Sequence, residues 1–190
     1  IAATDIKPSI RYYSIVTIGR SLSVREYNIE PEESNSLKQF ILEQIFKETN
    51  VQNCEYLISL GCKLYKKESD EESLELFKKS LIEAAVQLAN DKIHVALYFI
   101  YELIENDIIN EEIFDECNMA EICHKLILLG LQCEDKELAL QMHKKAIDLL
   151  DVIYVSNICE GFLQSSEDII QMLQTEAQFS IYSSSDDEES

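Results

Sequence analysis

The chain has no tryptophan, two prolines and four glycines among 190 residues, while 46% of it is apolar. So few turn-forming residues exclude a β-rich fold and leave a compact all-helical chain as the expected class. No apolar run approaches the ~20 residues of a membrane span, and no signal-peptide pattern is present, so no membrane association is expected. G-x-S-x-G, H-E-x-x-H, P-loop and Rossmann patterns are absent, and the three histidines (94, 124 and 143) fall on helical segments. The expectation is a protein that is not an enzyme and takes no cofactor. Basic residues are scarce as well: 16 Lys and Arg stand against 36 Asp and Glu, a net charge of -20. That balance argues against direct binding of nucleic acid or of an anionic membrane. No Lys or Arg follows Lys145, so a basic partner segment is the natural complement of the C-terminal part, with a merely solvated surface as the plain alternative.

What is present is helical periodicity, clearest between Cys54 and Ala85. Leu57, Leu60, Leu64 and Tyr65 define the inner face of one helix; Leu74, Phe77, Leu81 and Ala84 define that of a second. Lys66, Lys67, Lys78 and Lys79 are left on wet faces. The polar residues from Glu68 to Asp70 form the turn, with Ser69 or Asp70 as cap and Glu71 to Glu75 placing carboxylates at the positive end of the second helix. Gly61 stands inside the first helix, where glycine costs about 1 kcal/mol relative to alanine. Its presence there predicts close approach by another helix.

Leu57, Leu60, Gly61 and Leu64, followed by Ser73, Phe77 and Ser80, resemble the tetratricopeptide repeat, a helix-turn-helix of about 34 residues. Leucines replace its large aromatic and its tyrosine, serines replace its alanines, and no proline closes the unit. Residues 119–153 repeat the form, with Leu126, Leu129, Gly130 and Cys133 in the first half and Ala139, His143 and Ala146 in the second. The glycines at 19, 61, 130 and 161 lie 42, 69 and 31 residues apart, near one register of that period. The resemblance implies an all-α stack of about eight or nine helices in hairpins, a TPR-like α-solenoid. It further implies a non-catalytic scaffold or adaptor. Some members of the family clamp the C-terminal carboxylate of heat-shock chaperones through Lys and Asn on the first helix of a unit. The corresponding residues are Ile58 and Cys62 in one unit and Ile127 and Leu131 in the other, so that activity is not implied here.

Elsewhere, residues 1–8 read as a disordered N-terminal segment, 9–177 as a single helical-repeat domain, and 178–190 as an acidic, serine-rich disordered tail. Ser9 to Leu22 reads as a helix with Ile10, Tyr13, Val16 or Thr17, and Leu22 inward. It can also be read as a strand, and the Gly19 register favours the helix. Glu26 to Glu33, with Pro31, reads as a loop. A helix follows from Ser36 to Thr49, with Leu37, Phe40, Ile41, Ile45 and Phe46 on one side. Lys92 to Glu105 is a helix apolar on most sides, carrying Ile93, Ala96, Leu97, Ile100, Tyr101 and Ile104, and is expected to be central. Asn110 caps a short helix through Cys117, and Ser165 or Ser166 caps a last one through Ala177.

The six cysteines (54, 62, 117, 123, 133 and 159) have no framework of spacings and read as buried, reduced thiols of an intracellular protein, cytoplasmic or nuclear. Cys123, His124, Cys133 and His143 are the donor types of a tetrahedral zinc site, but no close pair fixes two ligands to one loop, so no metal site is expected. The expected partner is another protein, a peptide or amphipathic helix with basic flanks, held within a larger complex on an apolar, acid-edged surface. Tyr65, Tyr98 and Tyr101 are its candidate contacts. Ser183, Ser184 and Ser185 each have Asp or Glu three residues later and are candidate phosphorylation sites of the acidic-directed kind. The rival architecture is a compact bundle of the apoptosis-regulator type, as a viral modulator of host signalling would use, with the Lys92–Glu105 helix enclosed on every side.

Overall fold

The computed structural model describes residues 7–24, 31–156 and 158. All regular structure among them is helical, in the order α1 (Pro8–Val24), α2 (Pro31–Lys47), α3 (Val51–Lys67), α4 (Glu71–Asp91), α5 (Ile93–Glu105), α6 (Glu111–Glu116), α7 (Met119–Leu131) and α8 (Lys136–Val155). The chain divides into two compact units, Ile1–Asp91 and Lys92–Ser190. In the first, α3 packs against α1, α2 and α4, and α2 also reaches α4. In the second, α5 packs against α8 and α7, α7 against α8, and α6 against α7.

Helix ends follow local chemistry. Asn50 opens α3 by accepting from the Asn53 amide at 3.0 Å, and Asp70 opens α4 by accepting from the Ser73 amide at 2.8 Å. Asn110 caps α6 through the Ile113 amide, and Asp135 caps α8 through the amides of Glu137 and Leu138. Each satisfies donors that the first helical turn leaves without intrahelical partners. Both prolines are first residues of helices, Pro8 of α1 and Pro31 of α2. The expected loop through Glu33 is therefore helix from Pro31 onward. Proline at a first helical position lacks only an N–H that would have no partner there, and its φ is already helical.

The core of the first unit centres on Ile41, Ile45, Leu57, Ile58, Leu64, Leu81 and Leu88, all nearly or fully buried. A Cβ at Gly61 would lie 3.3 Å from the Leu81 side chain and 3.5 Å from that of Ile41, so α4 and α2 approach α3 closely where its side chain is missing. Among the described side chains of α1, Ile15 and Val16 are buried while Ile10 and Tyr13 are exposed, correcting the inward face expected from the sequence; the side chain of Leu22, also expected inward, lies outside those described. Phe46 is also exposed, and Lys38 on the same helix is buried.

Two carboxylates, buried Glu48 and half-buried Glu68, account for the inward turn of Arg11 and Lys38. Glu48 directly follows α2 and takes a two-pronged bond from Arg11 of α1, Nε to Oε2 at 2.7 Å and Nη2 to Oε1 at 2.6 Å. The same carboxylate accepts from the amides of Thr49 and Asn50 and from the Asn53 side chain, which also donates to the Pro8 carbonyl. Glu68 directly follows α3 and repeats the device. It accepts from the amides of Ser69 and Asp70 and pairs with Lys38 of α2, whose ammonium also donates to Ser73 Oγ at 2.7 Å. The two turns read Lys-Glu-Thr-Asn at 47–50 and Lys-Glu-Ser-Asp at 67–70, the same order of residue types. Each glutamate closes a turn, and each binds a cation delivered by an earlier helix.

Burial raises the Glu48 carboxyl, but bonds from Arg11, the Asn50 amide and Asn53 outweigh it and bring it down to about 2. For Glu68 the Lys38 hydrogen bond dominates and, with the Asp70 and Ser69 amides, also brings the carboxyl to about 2 against the cost of burial. Both groups lie below the ordinary value of 4.5. The stability they add is thus complete above that value and is lost as pH falls from it through the folded-state value. Urea unfolding followed by circular dichroism should give level midpoints from neutral pH to about 5, then a steep fall toward pH 2. Glu48→Ala should destabilise the first unit at neutral pH by about 2–3 kcal/mol, because it leaves the half-buried Arg11 charge without its carboxylate and the turn amides without their acceptor. An acid slope unchanged in a Glu48→Gln, Glu68→Gln double variant would show that other groups set the pH dependence.

Candidate functional site

In the second unit, α5 buries Val95, Ala96, Leu97, Phe99, Ile100, Leu103 and Ile104. These cover about two-thirds of the helix circumference at 3.6 residues per turn. The remaining third carries His94, Tyr98, Tyr101, Glu102 and Glu105, at successive spacings of four, three, one and three; all are half-buried except Glu105, which is exposed. α5 is central to the second unit, as its apolar character predicts, but one stripe of it is only half-buried.

The stripe is ordered by its own residues. The Tyr98 hydroxyl donates to Glu102 Oε1 at 2.5 Å, and the Asn106 side chain donates to Glu102 Oε2 at 3.2 Å and to the Glu102 carbonyl at 2.7 Å. The rings of Tyr98 and Tyr101 lie 6.1 Å apart with planes at 33°. Lys145 of α8 places its ammonium 4.8 Å from the centre of the Tyr98 ring. Burial raises the pKa of the Tyr101 hydroxyl, and the carboxylates of Glu105, Glu102 and Asp148 raise it further. The patch is thus a pair of aromatic faces in a negative field, one face already holding a cation. Such an arrangement attracts ammonium or guanidinium groups.

Of the three tyrosines expected from the sequence, the structure brings Tyr98 and Tyr101 together, while Tyr65 belongs to α3 of the first unit. Ser183, Ser184 and Ser185 lie outside the described residues, as do residues 1–6, Cys159, Gly161 and the expected last helix. Cys54, Cys62 and Cys123 are buried, but Cys117 and Cys133 are half-buried, a correction to the expectation for those two thiols. Leu129, expected inside α7, is 36% exposed; Leu126 and Ile127 face inward there. A Cβ at Gly130 would meet Met142 of α8 at 3.2 Å. Among the described residues no group of three His, Cys, Asp or Glu side chains is placed to hold a metal ion, and no helix is long and apolar enough to cross a membrane. Glu102, Asn106 and Lys145 were not singled out by sequence. The first two are legible in retrospect, since Tyr98, Glu102 and Asn106 recur at the four-residue helical spacing; Lys145 arrives from another helix.

The class defined is an all-helical protein whose second unit displays an aromatic and acidic stripe. Comparison with protein-family models, with curated proteins and with solved structures finds no match. Tyr98→Phe should leave the fold intact and cost about 1 kcal/mol through loss of the hydroxyl–carboxylate bond. In a double-mutant cycle, Lys145→Ala should couple to Tyr98→Leu by about 0.5–1 kcal/mol. Zero coupling in urea unfolding would remove the cation from the ring.

Proposed function

We propose that this chain is a non-catalytic protein-interaction adaptor that takes a peptide or amphipathic helix with basic flanks on the open stripe of α5. The observation that carries the reading is the pairing of Tyr98 and Tyr101 beside Glu102, Glu105 and Asp148. It gains support from charge distribution: Lys92–Ser190 contains five of the 16 Lys and Arg but 21 of the 36 Asp and Glu. Aromatic faces supply contact area at small entropic cost, and the carboxylates speed encounter and select the sign of the flank.

The finer architecture we propose is a TPR-like stack of helical hairpins. Packing of α1 on α3, α2 on α4 and α5 on α7, each a helix against the next but one, supports it, as do Gly61 and Gly130 at helix contacts. The half-buried third of α5, with Glu105 exposed, weighs for this reading against an apoptosis-regulator-type bundle, which would enclose that helix on every side. Within the same proposal the protein acts in the cytoplasm or nucleus as part of a larger complex, and Ser183, Ser184 and Ser185 are phosphorylated to deepen the negative charge.

The test is titration of the full chain with matched amphipathic peptides, flanked by Lys and Arg in one and by Glu in the other. The basic peptide should bind, and a Tyr98→Ala, Tyr101→Ala variant should weaken it about tenfold or more. Raising salt should weaken it further. A chain lacking 183–190 should retain most of the affinity, with Leu97→Glu as the control for an unfolded core. Loss of binding with the tail alone would transfer recognition to the acidic serine segment and make the helices its carrier.

A further inference from the structure

The first unit carries a surface of opposite character. Between α1 and α3 lies an open cleft of about 80 Å³, floored by Val16, Gly19 and Leu60. Its rim is formed by Arg20, Tyr56, Ser59 and Lys63. Arg20 and Lys63 are exposed, and among the described residues neither is in an ion pair, whereas Arg11, Lys38, Lys47, Lys78 and Lys79 all are. The sequence explains the contrast: positions 16, 17, 23 and 24 around Arg20, and 59, 60, 66 and 67 around Lys63, contain no Asp or Glu. Helical neighbours therefore cannot neutralise either cation. Lys66 and Lys67, both exposed, extend the positive edge along α3.

Aromatic surface adjoins the charge. Tyr56, 40% exposed, meets Tyr12 edge-to-face at 5.4 Å, and Tyr12 meets Tyr13, 70% exposed, at 5.7 Å. Two cations flanking an apolar floor suit a ligand that is negative at its edges and apolar at its centre. Exposed cations alone hold an isolated anion weakly, so affinity must come from an inserted side chain together with several carboxylates. A nucleic acid fits less well, because its dense phosphate charge would meet a chain of net charge -20 with only this small basic patch to offset it.

We propose that the α1–α3 cleft binds an acidic segment of a partner protein, with Asp or Glu side chains at Arg20 and Lys63 and an apolar side chain on the Val16–Gly19–Leu60 floor. The surface is independent of the α5 stripe. The protein would then recognise two segments of opposite charge, a basic one on the second unit and an acidic one on the first.

The test is an amide NMR titration of the full chain with a short blocked peptide, one phenylalanine flanked by aspartate and glutamate. Controls replace the flanks by lysine, or the phenylalanine by serine. Shifts should concentrate on α1 and α3 for the acidic peptide and be much weaker for both controls. Arg20→Glu with Lys63→Glu should weaken binding about tenfold or more without lowering the thermal midpoint, since both side chains are exposed. Gly19→Ala supplies a second variant. Its new methyl meets Leu60 at an ordinary 3.7 Å, so the helix keeps its packing while the floor is partly filled, and affinity should fall about threefold. Tyr98→Ala with Tyr101→Ala should leave this titration unchanged, which separates its failure from failure of the α5 reading. Shifts centred on α4, equal binding of the lysine peptide, or affinity untouched by the charge reversal would each overturn the proposal. A single-stranded oligonucleotide binding as tightly, with the same loss in the reversed variant, would assign the cleft to nucleic acid instead.

Discussion

Carboxylates drawn partly or wholly out of water to close interhelical turns are the constraint on which the first unit depends. A charge removed from water must find a partner and donors for its remaining lone pairs, or its burial becomes prohibitive. Glu48 and Glu68 meet that requirement with a cation from an earlier helix and amides of their own turn. Each therefore fixes two things together: the path of the chain out of a helix, and the rotation of the helix that delivers the cation. The exposure of Ile10 and Tyr13 on α1 follows, because Arg11 must point inward. That exposure in turn creates the aromatic edge beside the α1–α3 cleft.

The second unit is organised without such a clasp among the described residues. Its centre is the apolar face of α5, held between α7 and α8, with helix entries fixed by Asn110 and Asp135. Among the described residues its acidic side chains are exposed except half-buried Glu102; Glu102, Glu105 and Asp148 set the field around Tyr101. The units thus use charge differently. In the first, two cations are paired with the turn glutamates and the cleft cations stay outside; in the second, aromatic rings and carboxylates share one stripe, and Lys145 covers one ring.

The opposing readings of α5 turn on one feature. Its buried face is as apolar as a bundle centre requires, and sequence alone shows that. The stripe of Tyr98, Tyr101 and Glu102 is half-buried and Glu105 exposed, while among the described helices α5 packs mainly on α7 and α8. Polar residues at four-residue spacing mark such a stripe only when partners of the remaining face are known.

By itself the sequence determined the all-helical class, most helix boundaries, the turn at 68–70, the cap Asn110 and the choice of Ser69 or Asp70 for the other; that Asp70 takes the role, and that Asp135 caps α8, came from the structure. These depend on neighbours within a few residues, where spacing, capping chemistry and helical period act directly. Tertiary structure decided which faces turn inward wherever a charge is buried: Arg11 reaches a carboxylate 37 residues away, and Lys38 one 30 residues away. A periodicity reading places such cations outside because it counts their cost in water-free surroundings and cannot see the distant glutamate that offsets it. The same holds for Lys145 above Tyr98 and for the cleft over Gly19. Both are made by side chains of different helices, and only packing sets the distance between them.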